Sequence, residues 1–135
     1  MSQKKPITGE IWADNIDRAA SLIGEKENFL FCGDIDPDSV CSMMSLALFL
    51  RLMDKQASIV LATGLSNNLD YLISILNHNS IRILETENQI KSIEKSVEAI
   101  IVCDTANTKM VPFYSLLLEK FIAKDIQVIE IDHHF

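Results

Sequence analysis

Five short apolar runs, separated by segments with helical spacing, set the limits on how this chain can fold. The runs are Asn28 to Cys32, Ala57 to Ala62, Ile81 to Leu84, Glu98 to Cys103 and Ile126 to Ile131. Each is four to six residues long, rich in Ile, Val, Leu or Phe, and bounded by polar or turn residues, as buried strands are. Between them lie stretches with apolar residues at i, i+3 and i+4. Gly9 to Gly24 carries Ile11, Trp12, Ile16, Ala19, Ala20 and Ile23, and Gly24 is a suitable terminator. Asp36 can cap a second helix with Pro37 at its first position, where the missing N–H costs nothing, running to about Lys55. That helix is apolar on most sides, which suits an element packed between a sheet and something else. Further helices are expected over Asn68 to Leu76, Glu87 to Lys95 and Pro112 to Lys124. Strands alternating with helices predict an α/β fold: a doubly wound, mostly parallel sheet flanked by helices. Ile81 to Leu84 reads as an edge strand and the last strand as an interior one.

The 135 residues suffice for one domain with a real core, and neither a repeat nor a linker divides them. A formal charge of −7 argues against a large basic surface for duplex DNA or an anionic membrane. Divalent cations held by the aspartates would neutralise part of that charge, so a phosphate substrate is not excluded. Three cysteines, Cys32, Cys41 and Cys103, cannot all pair and show no CxxC spacing, which fits a reduced, cytoplasmic setting. The longest apolar stretch, Met43 to Met53, is interrupted by Ser45 and Arg51 and is too short to span a bilayer.

Chemistry-bearing residues gather where strands end. Asp34, Asp36 and Asp38 follow the first run, Asp104 follows the fourth, and Asp132, His133 and His134 follow the fifth. In open parallel sheets ligands bind outside the carboxyl ends of the strands. Carboxylates this close repel one another and call for a cation or for protons. Oxygen-rich donors with an occasional imidazole suit manganese or magnesium better than zinc or copper. Two ions a few ångströms apart would activate water for displacement at phosphorus. The plain alternatives are a cap or turn role for Asp104 alone, an acidic turn at Asp34 to Asp38, and a zinc site of Cys32, Cys103 and His133. A calcium loop lacks its glycine and its distal glutamate here.

Asp-x-Asp-x-Asp after a first strand, Val102-Cys103-Asp104 after a middle strand and a late Asp-His-His resemble motifs I, II and III of the DHH phosphoesterase superfamily. That group includes RecJ-like exonucleases, oligoribonuclease/pAp phosphatases, cyclic-dinucleotide phosphodiesterases and family II pyrophosphatases. The resemblance spans Phe29 to His134 and implies a Rossmann-like DHH domain with two Mn2+ ions, Mg2+ being the alternative. It implies that Asp36 binds one ion and Asp38 the other, that Asp104 bridges them, and that His133 completes the second. Asp132 would orient that imidazole, and His134 would face the scissile phosphate.

Cys32 stands where many members have a histidine; Asp34 matches the extra aspartate of the RecJ-like branch and joins the expected metal ligands. Cys41 replaces a small glycine before Ser42 and is expected to crowd the helix start. Family members continue past Asp-His-His with another metal-binding aspartate and a second domain that grips substrate. Residues 1–135 are therefore expected to be a single, incomplete N-terminal catalytic domain without its C-terminal substrate-binding domain. Alone, the piece should hydrolyse little or nothing. The implied activity is hydrolysis of phosphodiester or phosphomonoester bonds in nucleotides or short single-stranded nucleic acids. The alternatives are a pyrophosphatase- or exopolyphosphatase-like phosphoanhydride hydrolase and a degenerate metal-binding regulatory module. No membrane partner is expected, and a homodimer is.

Overall fold

The computed structural model describes residues 9–61, 70–103, 105 and 108–132, with side chains from residue 13 onward. In chain order the elements are α1 (Gly9–Glu25), β1 (Asn28–Gly33), α2 (Pro37–Leu52), β2 (Gln56–Val60), α3 (Asp70–His78), β3 (Arg82–Leu84), α4 (Glu87–Ser92), β4 (Ala99–Cys103), α5 (Tyr114–Lys120) and β5 (Gln127–Ile131). Short 3-10 turns at Thr108–Met110 and Ile122–Lys124 flank α5. All five strands are parallel, in the order β3-β2-β1-β4-β5. The chain winds outward from β1 through β2 to β3, then crosses back to β4 on the other side of β1. That reversal is a topological switch point, and it lies between β1 and β4.

A centre strand covered on both faces needs no polar positions, which explains the unbroken run in β1. Phe29, Leu30 and Phe31 are wholly buried, and successive side chains enter opposite cores. Phe29 and Phe31 join Ala57, Ile59, Ala99 and Ile101 beneath α2, with Leu22 and Ile23 of α1 and Leu76 of α3 packed alongside. Leu30, Cys32, Val60 and Ile100 meet Ile90 of α4 and Leu117 and Phe121 around α5 on the other face. Burying each such side chain contributes roughly 1.5–3 kcal/mol.

Several element boundaries depart from the sequence reading. α2 stops at Leu52 because Met53 caps it and Asp54 turns left-handed, at φ 60°. Lys55 is thereby turned out of the helix and into the protein. The expected helix over Pro112 to Lys124 shrinks to Tyr114–Lys120, because Phe113 takes a left-handed conformation (φ 59°) that a helix cannot incorporate. On α1 the inward residues are Ala19, Leu22 and Ile23, whereas Ile16 is exposed. The predicted start of α3 at Asn68 lies outside the described residues, and α4 ends at Ser92 rather than Lys95. Among the described residues β5 is an edge strand, not an interior one, and Val128 and Ile131 on it are exposed. α2 is likewise covered on one side only: Cys41, Ser42, Ser45, Phe49 and Leu52 form an exposed stripe.

Candidate metal centre at the switch point

The register of the three strands brings the sequence motifs level. Gly33 pairs with Cys103, and Cys103 pairs with Ile131, so β1, β4 and β5 end in one row. The residues that follow in sequence are Asp34, Asp104 and Asp132. Neighbouring strands lie about 4.8 Å apart, so the segments that leave these three strands start from adjacent points of one sheet edge. Asp104, His133 and His134 lie outside the described residues.

Local chemistry shapes the loop after β1. Asp34 is half-buried, and its Oδ1 accepts from the Ile35 N–H at 2.7 Å. Asp36 takes an extended conformation and caps α2, its Oδ1 accepting from the Ser39 N–H at 2.9 Å. A carboxylate has a second oxygen and further lone pairs, so capping leaves Asp36 able to ligate a cation. Pro37 opens the helix and Asp38 sits in its first turn, where the helix dipole favours a negative charge. Asp36 and Asp38 are exposed.

An open cleft of about 810 Å³ runs from this loop along α2 toward β5. Its described lining includes Asp38, Cys41, Ser42, Phe49, Cys103 and Asp132. The fold thus brings Asp38 and Asp132 to one cavity, beside the residue that precedes Asp104. Asp34 and Asp36 are outside that lining. Cys41 is exposed in the cleft and does not crowd the helix start. Among the described residues no group of three or more His, Cys, Asp or Glu is gathered closely enough to hold a metal ion. Asp34, Asp36 and Asp38 by themselves therefore do not make a site, and a metal centre here needs donors from the ends of β4 and β5. Carboxylate oxygens such as those of Asp38 and Asp132 fit a hard divalent cation.

The zinc alternative fails on geometry. Cys32 points into the core beneath α4 and α5, Cys103 into the core beneath α2, on opposite faces of the sheet. Burial, with the nearby Cys103 and Glu130 adding to it, pushes the Cys32 thiol up to about 12.

Two residues that the sequence reading passed over hold this corner together. Ser39 is wholly buried in the first turn of α2, and its hydroxyl donates to the Cys103 carbonyl at 2.9 Å. Gly33 makes the approach possible. A Cβ built there would stand 2.5 Å from Ser39 Oγ and closer still to the Cys103 carbonyl oxygen. The available signal was a glycine at the end of a buried strand, directly before the acidic loop, which marks close backbone approach.

Comparison with known proteins agrees with this fold. The solved structure of an exopolyphosphatase-related protein from Bacteroides fragilis superposes with a TM-score of 0.68 at 17% identity, covering 98% of this chain and 37% of that one. The chain thus spans little more than a third of that protein's length. No curated protein matches it. A family model described as the DHH family, N-terminal domain, matches residues 28–135, from the start of β1 through the Asp-His-His motif. The chain belongs to the DHH family, through that family's N-terminal domain.

Proposed function

We propose that this chain is the metal-binding domain of a phosphohydrolase that cleaves phosphodiester or phosphomonoester bonds in nucleotides or short single-stranded nucleic acids. The observation that supports the reading is the level ending of β1, β4 and β5 at Gly33, Cys103 and Ile131, after which the sequence continues as Asp34, Asp104 and Asp132. Asp36 and Asp38 would each hold one Mn2+, with Mg2+ the alternative, Asp104 would touch both, and His133 would complete the second. Asp34, beside them on the same loop, would add negative charge or a further ligand. When bound, the ions would supply charge neutralisation and an activated water for displacement at phosphorus. Asp132 would accept a hydrogen bond from the His133 ring and fix its tautomer. His134 would donate to the scissile phosphate.

A second reading keeps the metal residues and changes the substrate. The structural neighbour is described as exopolyphosphatase-related, which favours a phosphoanhydride such as pyrophosphate or polyphosphate. One experiment separates the readings. The uninterrupted gene product is assayed with Mn2+ against short oligoribonucleotides, 3′,5′-bisphosphorylated adenosine, a cyclic dinucleotide, single-stranded DNA, pyrophosphate and polyphosphate, with an Asp104→Ala control. Thermal melting with and without Mn2+ is followed in parallel. Expected are Mn2+-dependent stabilisation and turnover of a nucleotide substrate, both lost in Asp104→Ala. Turnover of the anhydrides alone would select the second reading. Stabilisation without turnover would leave a metal-binding regulatory domain, and equal stabilisation of Asp104→Ala would refute the metal site.

A further inference from the structure

We infer that Ser39 is a positioning residue for the metal centre, the tie that fixes the spacing between the aspartates after β1 and the aspartate after β4; this rests on the metal reading above. The carboxylates belong to two separate pieces of backbone. Asp36 and Asp38 ride on the N-terminus of α2, while Asp104 follows Cys103 at the end of β4. Sheet pairing fixes β1 against β4 only as far as the Gly33–Cys103 pair. Beyond that point the chain after β1 makes a loop before α2 begins, and no ladder spans it.

The Ser39 hydroxyl bridges that gap, donating to the Cys103 carbonyl, one peptide unit from Asp104. The same residue's N–H is held by the Asp36 carboxylate. One wholly buried residue therefore binds an expected ligand on one side and the backbone next to another expected ligand on the other. Gly33 leaves the room in which this happens, since a Cβ there would displace both partners. The hydroxyl bond is buried, away from solvent competition, and the bond to the Asp36 carboxylate beside it is part-buried. Loss of the hydroxyl leaves Cys103's carbonyl without this donor and lets the α2 terminus drift from β4. Groups that hold metal ligands in place typically matter about 10–100-fold in affinity.

The test is Mn2+ affinity, measured by calorimetric titration on the folded protein, for wild type, Ser39→Ala and Ile81→Val. Ile81 is buried beside β3, far along the sheet, and its truncation weakens the core without approaching the aspartates. Circular dichroism establishes that each variant is folded at the titration temperature. About tenfold or greater weakening in Ser39→Ala, with Ile81→Val unchanged, is expected. Equal affinity in wild type and Ser39→Ala overturns the positioning role while the metal reading stands. Equal weakening in Ile81→Val also overturns it, because general loosening would then explain the effect. A folded wild type that takes up no Mn2+ overturns the metal reading, and this inference with it. Should Ser39→Ala not fold, Ser39→Cys, of similar size with a weak donor, is judged by the same outcomes.

Discussion

Lys55 offers the sharpest test of the packing argument, because a buried ammonium must have a reason to be where it is. The residue is 5% exposed, and Nζ donates to the carbonyls of Lys26 at 2.6 Å and Gly24 at 3.2 Å. α1 ends at Glu25 and has no basic residue in its own last turn. Lys55, thirty residues on, supplies the cation that its carboxyl-terminal carbonyls and dipole favour. The Glu27 carboxylate is also within reach, at 3.4 Å, but its side chain is 66% exposed. Lys55→Met keeps most of the apolar stem and removes the charge. Hydrogen bonds to a charged donor are worth about 1.5–3 kcal/mol each. Desolvation of the ammonium, several kcal/mol by itself, offsets much of that sum. The net loss expected is therefore about 2 kcal/mol. With a urea m-value near 2 kcal/mol/M, this is a midpoint shift of about 1 M. Glu27→Gln should cost less than about 1 kcal/mol, as exposed ion pairs do. Urea unfolding of the three proteins at 25 °C, in low and high salt, decides the matter. A Lys55→Met protein within about 0.5 kcal/mol of wild type would refute the reasoning. A Glu27→Gln effect as large as that of Lys55→Met would show that the ion pair, not the helix terminus, is what Lys55 serves.

Three further outcomes follow from the same structure. Burial raises the Cys32 thiol from 9.0 to about 12, so the folded state keeps its proton where the unfolded chain loses it. Its contribution is thus complete below about pH 9 and is lost as pH rises toward 12, a fall that chemical denaturation should show and that Cys32→Val should flatten. In the native protein at pH 8 a thiol reagent should modify exposed Cys41 quickly and reach buried Cys32 and Cys103 only on unfolding; rapid labelling of all three would contradict the two-core arrangement. Gly33→Ala, harmless in an ordinary strand, should cost about 1–3 kcal/mol by overpacking against Ser39 and the Cys103 carbonyl, and an unchanged urea midpoint would refute that close approach.

What the sequence made legible, and what it hid, divides by the range of the interaction. Strand cores such as Phe29 to Cys32 and Ala99 to Cys103 are continuous apolar runs because both faces of a central parallel strand are covered, so local composition reports them directly. The cap at Asp36 followed by Pro37 is equally local, and the structure has it where the pattern puts it. Helix ends were less legible. Apolar spacing says nothing of a single left-handed residue, and Asp54 and Phe113 each end or delay a helix that the pattern would have extended. Lys55 is the clearest hidden case. Read locally it is the polar tail of a helix, yet its partners lie 28 to 31 residues away and bury it.

The candidate site shows the same division within a few residues. Its carboxylates and histidines are visible because the chemistry demands unusual residue types at strand ends, and strand ends could be read. The register that sets Gly33, Cys103 and Ile131 level is not written in any one segment; it is the sum of the β1–β4 and β4–β5 pairings. Ser39 is hidden for a different reason. A serine in a helix's first turn is commonplace, and nothing local separates one that faces solvent from one whose hydroxyl reaches a carbonyl 64 residues further along. Gly33 is the only local trace, since a glycine closing a buried strand gives up side-chain packing and must gain something in return. Here it gains the approach of Ser39 to the Cys103 carbonyl, and with it a fixed distance between the two stretches of chain that carry the proposed metal ligands.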